Sequence, residues 1–439
     1  EDIFSYDIKR FQKFHSELGF IKKRITESLG DLYGMHWPFK QHKTSRNIKT
    51  VPYHENLKNF GACFGVSGGY ERPMWFALNG EKAEYEYSYN YQNWYPSVEY
   101  ETNNTVKNVG LFDLTPFSKF EIFSDKAHEE LQKICTANIK NEIGKCTYTH
   151  MLNSDGGIEA DLTVVCHDKN HFRIISSAAT RERDKFHIKK HLTKEIELKD
   201  ITDKLCVFGL FGPKSRDLIK TLSKDDFEND KFIFGTAKFI LIDGVKIWTQ
   251  RLSYVGELGY ELYVELKDAK KIYELIINKG KDFNLSNCGM HAMDTMRMES
   301  GFLHWGHDIS PEENQYEAGL NFTINYKKEI NFIGKESLLK IREKKQDKKF
   351  IMLSLINSKP GKPIMLHDEP IYLNDEIIGR TTSGNYSFNY NKNLSFGYVK
   401  TEYSNEELHK MNLYIEVAKQ KYAAIIELNP LKDKENRLS

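Results

Sequence analysis

The sequence lacks the features of proteins that bind nucleic acids or membranes. Its 63 Lys and Arg residues nearly balance its 62 Asp and Glu residues, and the formal net charge of +1 gives no general attraction to polyanions. No apolar run approaches the length of a membrane-spanning helix, and the N-terminus has no signal-peptide core. We therefore predict neither a nucleic-acid partner nor a membrane partner.

Cysteine motifs and nucleotide-binding motifs are also missing. The six cysteines are scattered without a CxxC pair, which is typical of reduced thiols in an intracellular protein. The Lys-, Asn- and Ile-rich composition favours a bacterial cytoplasm, with the mitochondrial matrix as the eukaryotic alternative. There is no GxGxxG loop, Walker loop, nucleophile elbow or zincin helix. His304 and His307 have no acid or cysteine group to complete a site, so no metal is predicted.

The order of predicted strands and helices indicates an α+β fold. With 439 residues the chain is long enough for more than one core. Strands and helices follow one another without strict βαβ alternation, which argues against a doubly wound sheet. Residues 1–80 contain a helical stretch from Asp7 to Ser28. The pattern of this segment predicts a connector that has no core of its own. We assign the main region to 81–345, and short strands at regular spacing predict a small β-barrel at 346–439.

A Gly-Gly turn that leads into an apolar strand is the most informative feature. Asp155-Gly156-Gly157 predicts a hairpin, because glycine tolerates the positive φ of a tight turn. In the strand that follows, Asp161 lies on the opposite sheet face from Leu162. A carboxylate with apolar neighbours is suited to acid–base chemistry or to stabilising a cation. The alternative is an ordinary strand-end aspartate.

Two further segments carry candidate binding residues. In 252–266, glycines flank Glu257 closely, which suggests a bend where a flat ligand approaches the backbone, and Glu261 follows four residues later. A solvated strand face is the alternative for these acids. In the predicted helix 289–301, Asp294 and Arg297 stand at i, i+3, and the alternative to a binding role is an ion pair on a solvated face.

Segments in collinear order resemble the folate-binding aminomethyltransferase family. That family includes the glycine cleavage T-protein and the C-terminal half of dimethylglycine and sarcosine dehydrogenases. The similar segments are 109–122, 145–165, 205–216, 252–263, 289–308, 334–341 and 379–399. YTHMLNSDGGIEADLTV, VGLFDLTPFSKFEI and the junction words LYGMHWP and ERPMWFA favour the dehydrogenase branch. The resemblance implies three lobes around a central folate channel, with residues 1–80 as the connector from a missing flavin half. A first residue that is glutamate rather than methionine fits a fragment of a longer polypeptide.

The resemblance also implies site residues. Asp161 takes the position of the catalytic acid. Glu261 takes the position of the acid that holds the pteridine ring, and Glu257 remains the alternative. Arg297 is implied to bind folate, either at its glutamate tail or as a partner that keeps Asp161 ionised. The implied folate-binding residues are Tyr254, Glu261, Glu257, Arg297 and Arg380.

The implied reaction is one-carbon transfer with tetrahydrofolate as cofactor. An iminium or aminomethyl unit from an N-methyl amine of the dimethylglycine or sarcosine type would pass to folate and give methylenetetrahydrofolate. FAD is implied only in a flavin-dependent dehydrogenase half, fused or separate. The alternatives are a free-standing glycine-cleavage-type aminomethyltransferase, a folate-dependent demethylase and a non-catalytic folate-binding module.

Overall fold

The structure, a computed structural model, describes residues 4–438 and arranges their strands in two open sheets, one closed barrel and one separate hairpin. The α-helices are α1 (Leu18–Asp31), α2 (His54–Asn59), α3 (Tyr95–Lys107), α4 (Ala127–Ile134), α5 (Arg181–His191), α6 (Ser215–Leu222), α7 (Leu266–Gly280), α8 (Met290–Glu299), α9 (Lys335–Arg342) and α10 (Asn405–Leu408). The strands are β1 (Ala62–Ser67), β2 (Tyr70–Phe76), β3 (Val109–Asp113), β4 (Ser118–Phe123), β5 (Cys146–Leu152), β6 (Ile158–Asp168), β7 (His171–Ser176), β8 (Leu198–Asp200), β9 (Leu205–Phe211), β10 (Ala237–Ile242), β11 (Val245–Gln250), β12 (Gly259–Glu265), β13 (Leu285–Cys288), β14 (Lys348–Leu355), β15 (Pro370–Leu373), β16 (Glu376–Ser387), β17 (Lys392–Lys400), β18 (Leu413–Val417) and β19 (Gln420–Glu427). This mixture of elements confirms the predicted α+β class.

The sheet that carries Asp161 has the strand order β5-β6-β7-β4-β8, and its neighbouring strands are antiparallel. One face packs with α4 into a core that includes Leu162 and Val164. From the other face, Val165 joins a second core with Trp248 and Tyr263 of the neighbouring sheet. The Asp161 face therefore looks toward that neighbouring sheet rather than toward bulk solvent.

The neighbouring sheet has the order β10-β11-β12-β9-β3-β13, with β13 parallel to β3. Its far face is covered by α6 and α7, whose apolar residues Leu218 and Ile272 are fully buried. Tyr53 from the N-terminal region is buried in the same core. The strand β12, which carries Glu261, thus lies in the middle of a sheet fixed by packing.

The C-terminal strands form a closed barrel in the order β14-β17-β16-β15-β18-β19. Their inward side chains, such as Leu353, Ile371 and Ile415, are buried, as expected when alternate residues fill a small barrel. The predicted C-terminal β-barrel is confirmed. The strand β16 also contacts α8, so the barrel is joined to the helix that carries Arg297.

The N-terminal helix begins later than predicted. Residues Ile8–Arg10 and Lys13–Ser16 are separate 3-10 turns, and α1 begins at Leu18, so the first half of the predicted helix is wrong. The physical reason is the extended backbone of Phe11 and Glu17, which interrupts helical hydrogen bonding. The boundaries at 1–80, 81–345 and 346–439 stay predictions. Among residues 4–438, no helix has both the length and the apolarity needed to cross a membrane.

Candidate active site

Asp161 lies on the half-buried face of β6. Odd-numbered residues from Glu159 to Thr163 are half-buried, whereas even-numbered residues from Ile158 to Val164 are buried. The hairpin turn that begins the strand is present, with Gly156 at φ +92°. The predicted alternation is confirmed, and it places the Asp161 carboxylate on the face that looks toward the neighbouring sheet.

Tyr148 and His150 share this face with Asp161. His150 stands directly opposite Asp161 in the β5–β6 ladder. The hydroxyl of Tyr148 donates to Oδ2 of Asp161 at 3.4 Å and lies 3.3 Å from Nε2 of His150. Burial raises the pKa of Tyr148 well above its usual value, although the residue is 40% exposed. We take the accessible space beside Tyr148, on the face of β6 that carries Asp161, as the candidate binding hollow.

His150 is held from behind by a buried polar cluster. Its Nδ1 lies 3.0 Å from Oγ1 of Thr323 and 3.1 Å from Nε2 of Gln315. Burial lowers the pKa of His150 to about 3, so the ring is neutral at physiological pH. Neither Tyr148 nor His150 was predicted as a site residue, although both fall inside the YTHML segment that precedes the Gly-Gly turn.

Burial shifts the charge state of the acids around the hollow. It raises the pKa of Asp161 to about 6, while hydrogen bonds from its own backbone and from Tyr148 act in the opposite direction. Asp184, in the first turn of α5, is buried and accepts from Oγ1 of Thr180 at 2.7 Å. Burial raises the pKa of Asp184 to about 7, and the nearby Asp161 charge adds to this shift. Two acids in one poorly solvated region create a negative potential that favours a cation.

Tyr254 lies beside this cluster. Its hydroxyl donates to the backbone oxygen of Leu303 at 2.9 Å, and its ring stacks on Phe302 with centroids 5.9 Å apart. Burial raises the pKa of Tyr254, the Arg297 charge opposes this, and the Asp161 charge adds to it. The hydroxyl and the ring face of Tyr254 are thus both held by neighbouring residues, near Asp161.

Glu261 on β12 faces the start of β5. Oε2 accepts from the hydroxyl of Tyr263 at 2.8 Å, and within residues 4–438 Oε1 has no hydrogen-bond partner. Burial raises the pKa of Glu261 to about 7. Burial also raises the pKa of Cys146, and the Glu261 charge adds to that shift. Cys146 pairs with Val165 in the β5–β6 ladder, four residues or about 13 Å along β6 from Asp161.

Glu257 is committed to a different contact. Its Oε1 lies 2.9 Å from Nζ of Lys432, and the Lys432 ammonium is also 3.7 Å from Glu299. All three side chains are buried. This buried ion pair joins the C-terminal tail to the bend after β11, which gives Glu257 a structural task. Between the two candidate acids, Glu261 is the one without an ion pair within the described chain.

Arg297 is buried and satisfied within the protein. Its side chain is 2% exposed and donates to Asp294 at 2.9 Å, to Asp308 at 2.6 Å and to Ser383 at 2.8 Å. A further bond reaches the backbone oxygen of Phe302 at 3.1 Å. The Asp294–Arg297 pair is present, but a solvated face is wrong for it because Arg297 is buried. A folate contact for Arg297 stays a prediction. Most of its N–H donors are already bonded to groups of the protein.

Arg380 lies on the outside of the barrel. It is 64% exposed and pairs with Asp368 at 3.1 Å. Its neighbours in β16 contact the buried acid instead: the hydroxyls of Thr382 and Ser383 donate to Oδ1 of Asp308 at 2.6 and 2.7 Å. A folate contact for Arg380 stays a prediction. Asp308, which links the barrel to α8 through Arg297, was not predicted as a site residue.

A cavity of about 500 Å³ opens between the N-terminal segment and the body of the protein. Phe14, Arg24, Arg183 and Trp305 are among its lining residues, whereas Asp161 and Glu261 are not. Arg183 forms an ion pair with Glu159, on the same strand face as Asp161. The cavity therefore ends next to the Asp161 face without containing it.

One group of potential metal ligands occurs within residues 4–438. Glu27, Asp31 and His42 bring ligand atoms within 4.8 Å of one another, at the surface near α1. Lys40 already pairs with Asp31 at 2.6 Å, so an ammonium occupies this acidic group. His304 and His307 have ring centroids 4.8 Å apart, but neither belongs to a ligand group within the described chain.

Comparison with family models agrees with this architecture. Residues 53–328 match the GCVT N-terminal domain, and residues 348–433 match the glycine cleavage T-protein C-terminal barrel domain. Residues 1–50 match the FAD dependent oxidoreductase central domain. These matches confirm the resemblance found in the sequence.

Curated relatives and a solved structure extend the comparison. The chain is 36% identical to 4-methylaminobutanoate oxidase (formaldehyde-forming) of Paenarthrobacter nicotinovorans, over 88% of this chain and 46% of that protein. It is 29% identical to mitochondrial dimethylglycine dehydrogenase of Rattus norvegicus, over 98% of this chain and 50% of that protein. The chain thus spans about half the length of these two relatives. The crystal structure of glycine cleavage system aminomethyltransferase T from Bartonella henselae superimposes with a TM-score of 0.75 at 20% identity, over 88% of this chain and 99% of that one. This match confirms the predicted aminomethyltransferase-like fold.

Proposed function

Because this chain belongs to the aminomethyltransferase family defined by the GCVT N-terminal domain, we propose that it transfers a one-carbon unit from an N-methyl amine to tetrahydrofolate. The donor is an iminium or aminomethyl unit of the dimethylglycine or sarcosine type, and the product is methylenetetrahydrofolate. The observation that carries this proposal is the pair of acids, Asp161 and Glu261, set on facing sheets with their pKa values raised by burial.

Asp161 is the catalytic acid in this proposal. Its carboxylate stabilises the positive charge of the bound one-carbon unit, since a fixed charge in a poorly solvated hollow interacts strongly with a cation. A pKa of about 6 also allows the group to accept and release a proton near neutral pH. Tyr148 holds the carboxylate from one side through its hydroxyl.

Glu261 binds the pteridine ring in this proposal. A carboxylate accepts two parallel N–H donors, and the pteridine edge presents an N–H beside an amino group. The open Oε1 of Glu261 fits this task, whereas Glu257 is held by Lys432. Tetrahydrofolate would supply the nitrogen that accepts the one-carbon unit. The bicyclic ring lies between Glu261 and Asp161 in this proposal, with Tyr254 as its wall.

A flavin-dependent dehydrogenase unit supplies the one-carbon unit in this proposal. Residues 1–50 match a domain of FAD-dependent oxidoreductases, and the two relatives named above are about twice as long as this chain. FAD enters only through that unit, fused or separate. We place the protein in the cytoplasm of a bacterium, or in the mitochondrial matrix if its source is eukaryotic.

The proposal is tested by following the methyl carbon. Dimethylglycine with isotopically labelled methyl groups is oxidised in situ by a flavin-dependent dehydrogenase in the presence of this chain and tetrahydrofolate. We expect Asp161→Ala to abolish labelled methylenetetrahydrofolate while leaving the folate Kd within roughly tenfold, about 1.4 kcal/mol. Asp168→Ala is the matched control, because Asp168 is an exposed acid at the end of the same strand. Unchanged transfer in the Asp161 variant would remove this residue from the mechanism.

Product identity separates the alternatives. Labelled methyltetrahydrofolate would indicate a folate-dependent demethylase, and tight folate binding without any transfer would indicate a binding module. The relative at 36% identity is described as formaldehyde-forming, which favours including 4-methylaminobutanoate as a second amine. Free labelled formaldehyde as the only product with both amines would argue against one-carbon transfer by this chain.

A further inference from the structure

The helix α1 carries apolar residues on its outer side and polar contacts on its inner side. Leu18, Ile25, Leu29 and Leu32 form a row at helical spacing, which we call the outer stripe, and each is between 51% and 84% exposed. No residue of α1 is buried. A surface helix of a globular protein normally turns its apolar stripe toward the core. In α1, Phe20 and Ile21 are half-buried on the inner side, but the longer apolar row stays exposed.

The inner side of α1 makes polar contacts with residues 40–44 of the same N-terminal segment. Arg24 donates to the backbone oxygen of Thr44 at 2.8 Å, and Glu27 accepts from the backbone nitrogen of Thr44 at 3.0 Å. Near the end of the helix, Asp31 pairs with Lys40 at 2.6 Å. These contacts fix the helix against residues 40–44, and the exposure of the outer stripe shows that it lies on the opposite side of the helix.

The spacing of the outer stripe fits a docking helix. Ile25, Leu29 and Leu32 stand at i, i+4 and i+7, the pattern of a helix that lays its apolar face into a groove of a partner. Tyr33 and Met35 continue the exposed apolar surface beyond the helix end. An apolar patch of this kind marks an interaction site rather than an ordinary solvated face.

We propose that the outer stripe is the docking surface for an FAD-dependent oxidoreductase unit. The occupant follows from two observations on the same residues. The segment 1–50, which includes α1, matches the central domain of FAD-dependent oxidoreductases, and the named relatives have as much chain again outside the region they share with this one. The polar contacts hold α1 against residues 40–44 of its own segment. Lys49 of that segment pairs with Asp203 of the folate-transfer body at 3.2 Å, and the apolar outer side of α1 contacts the flavin unit. The choice of partner depends on the proposed function, but the docking geometry is measured without folate.

The test uses this full chain together with the FAD-loaded unit from its own source that matches the other half of dimethylglycine dehydrogenase, produced as one polypeptide or as two. We expect the unit to slow amide hydrogen exchange of residues 18–35 about tenfold or more relative to the chain alone. For separate polypeptides, the triple variant Ile25→Glu, Leu29→Glu and Leu32→Glu should weaken the Kd about tenfold or more. Ile377→Glu, an exposed apolar residue on the barrel, is the matched control and should leave both values unchanged.

Other outcomes would overturn the proposal. Exchange at residues 18–35 that is unaffected by the flavin unit would exclude this surface. Self-association of the chain alone that the triple variant abolishes would assign the outer stripe to a second copy, and binding to lipid vesicles that the variant abolishes would assign it to a bilayer. Circular dichroism of the triple variant checks that it remains folded. Docking without folate transfer would reject the proposed function and keep the docking surface.

Discussion

The hydroxyl of Tyr148 lies 3.4 Å from Oδ2 of Asp161. An ionised carboxylate only accepts hydrogen bonds, so Tyr148 must be the donor of this contact whenever Asp161 is charged. The Tyr148 oxygen is then free to accept from Nε2 of His150, 3.3 Å away, which requires the Nε2–H tautomer. In that tautomer Nδ1 accepts, and the amide nitrogen of Gln315 lies 3.1 Å from it. The chain of contacts thus runs in one direction, from Gln315 to Asp161.

This relationship predicts the effect of Tyr148→Phe on pH dependence. The Tyr148 hydroxyl stabilises the charged form of Asp161 and therefore lowers its pKa. With burial and this contact together, the pKa of Asp161 is about 6. Without it, the pKa rises further, and the acid limb of the pH profile of one-carbon transfer should move up by as much as about one unit. Tyr316→Phe is the control, since its hydroxyl contacts Tyr326 instead. An unchanged acid limb would mean that Tyr148 does not control the charge of Asp161.

Asp161→Asn is expected to stabilise the protein at neutral pH. The folded-state pKa of about 6 lies above the ordinary value of 3.8, so the folded protein binds more protons than the unfolded chain in this interval. The stability of the wild type therefore falls as pH rises from about 4 to about 6, and the variant escapes this loss. After allowance for solvent screening, we expect urea unfolding to give the variant an advantage on the order of 1–2 kcal/mol at pH 7.5 and almost none near pH 4. Asp168→Asn should show no such difference, and a variant that is less stable at neutral pH would contradict the argument.

Substitutions of Glu257 and Glu261 are expected to have different effects, one on stability and the other on folate binding. Glu261→Gln should weaken tetrahydrofolate binding about tenfold or more, because an amide cannot accept two parallel donors. Glu257→Gln should leave folate affinity unchanged but lower the free energy of unfolding by about 2–4 kcal/mol, because it leaves the buried Lys432 with weaker partners. Calorimetric titration and urea unfolding of both variants measure the two effects. The reverse assignment would make Glu257 the pteridine anchor.

Local sequence patterns predicted the hairpin and the orientation of Asp161, because alternation and a Gly-Gly turn are local properties. They could not place His150. Counting back from the pair Leu152–Ile158 in an unbroken ladder would put His150 opposite Ala160, on the core side. A register shift between Met151 and Leu152 moves it opposite Asp161 instead. A one-residue bulge leaves no signal in the alternation of the sequence.

Long-range partners were the other part that the sequence could not supply. The choice between Glu257 and Glu261 depends on Lys432, which is 175 residues from Glu257 along the chain. The surroundings of Arg297 depend on Ser383, which is 86 residues away in the barrel. The i, i+3 spacing predicted the contact with Asp294 and nothing beyond it. Such partners are set by the packing of whole lobes, which no short motif describes.

Arg297 is expected to act mainly through stability. Arg297→Lys keeps the charge but cannot reach Asp294, Asp308 and Ser383 together, because an ammonium lacks the planar fork of a guanidinium. It leaves the buried Asp308 poorly compensated, so urea unfolding should show a loss on the order of 3–5 kcal/mol. Folate affinity of the folded variant should change less than tenfold.

Arg380→Ala tests whether Arg380 contributes to stability or to folate binding. Arg380 is exposed and pairs only with the exposed Asp368 within the described chain, so its removal should change the free energy of unfolding by less than about 1 kcal/mol. Folate affinity should also remain unchanged, since no buried group depends on this side chain. A loss of folate affinity in Arg380→Ala without a loss of stability would restore it as a ligand contact. A loss of folate affinity without a loss of stability in Arg297→Lys would show that Arg297 binds the folate carboxylate. The Arg297 guanidinium would then have to release Asp308 when folate binds, because its present contacts leave too few N–H donors for both carboxylates.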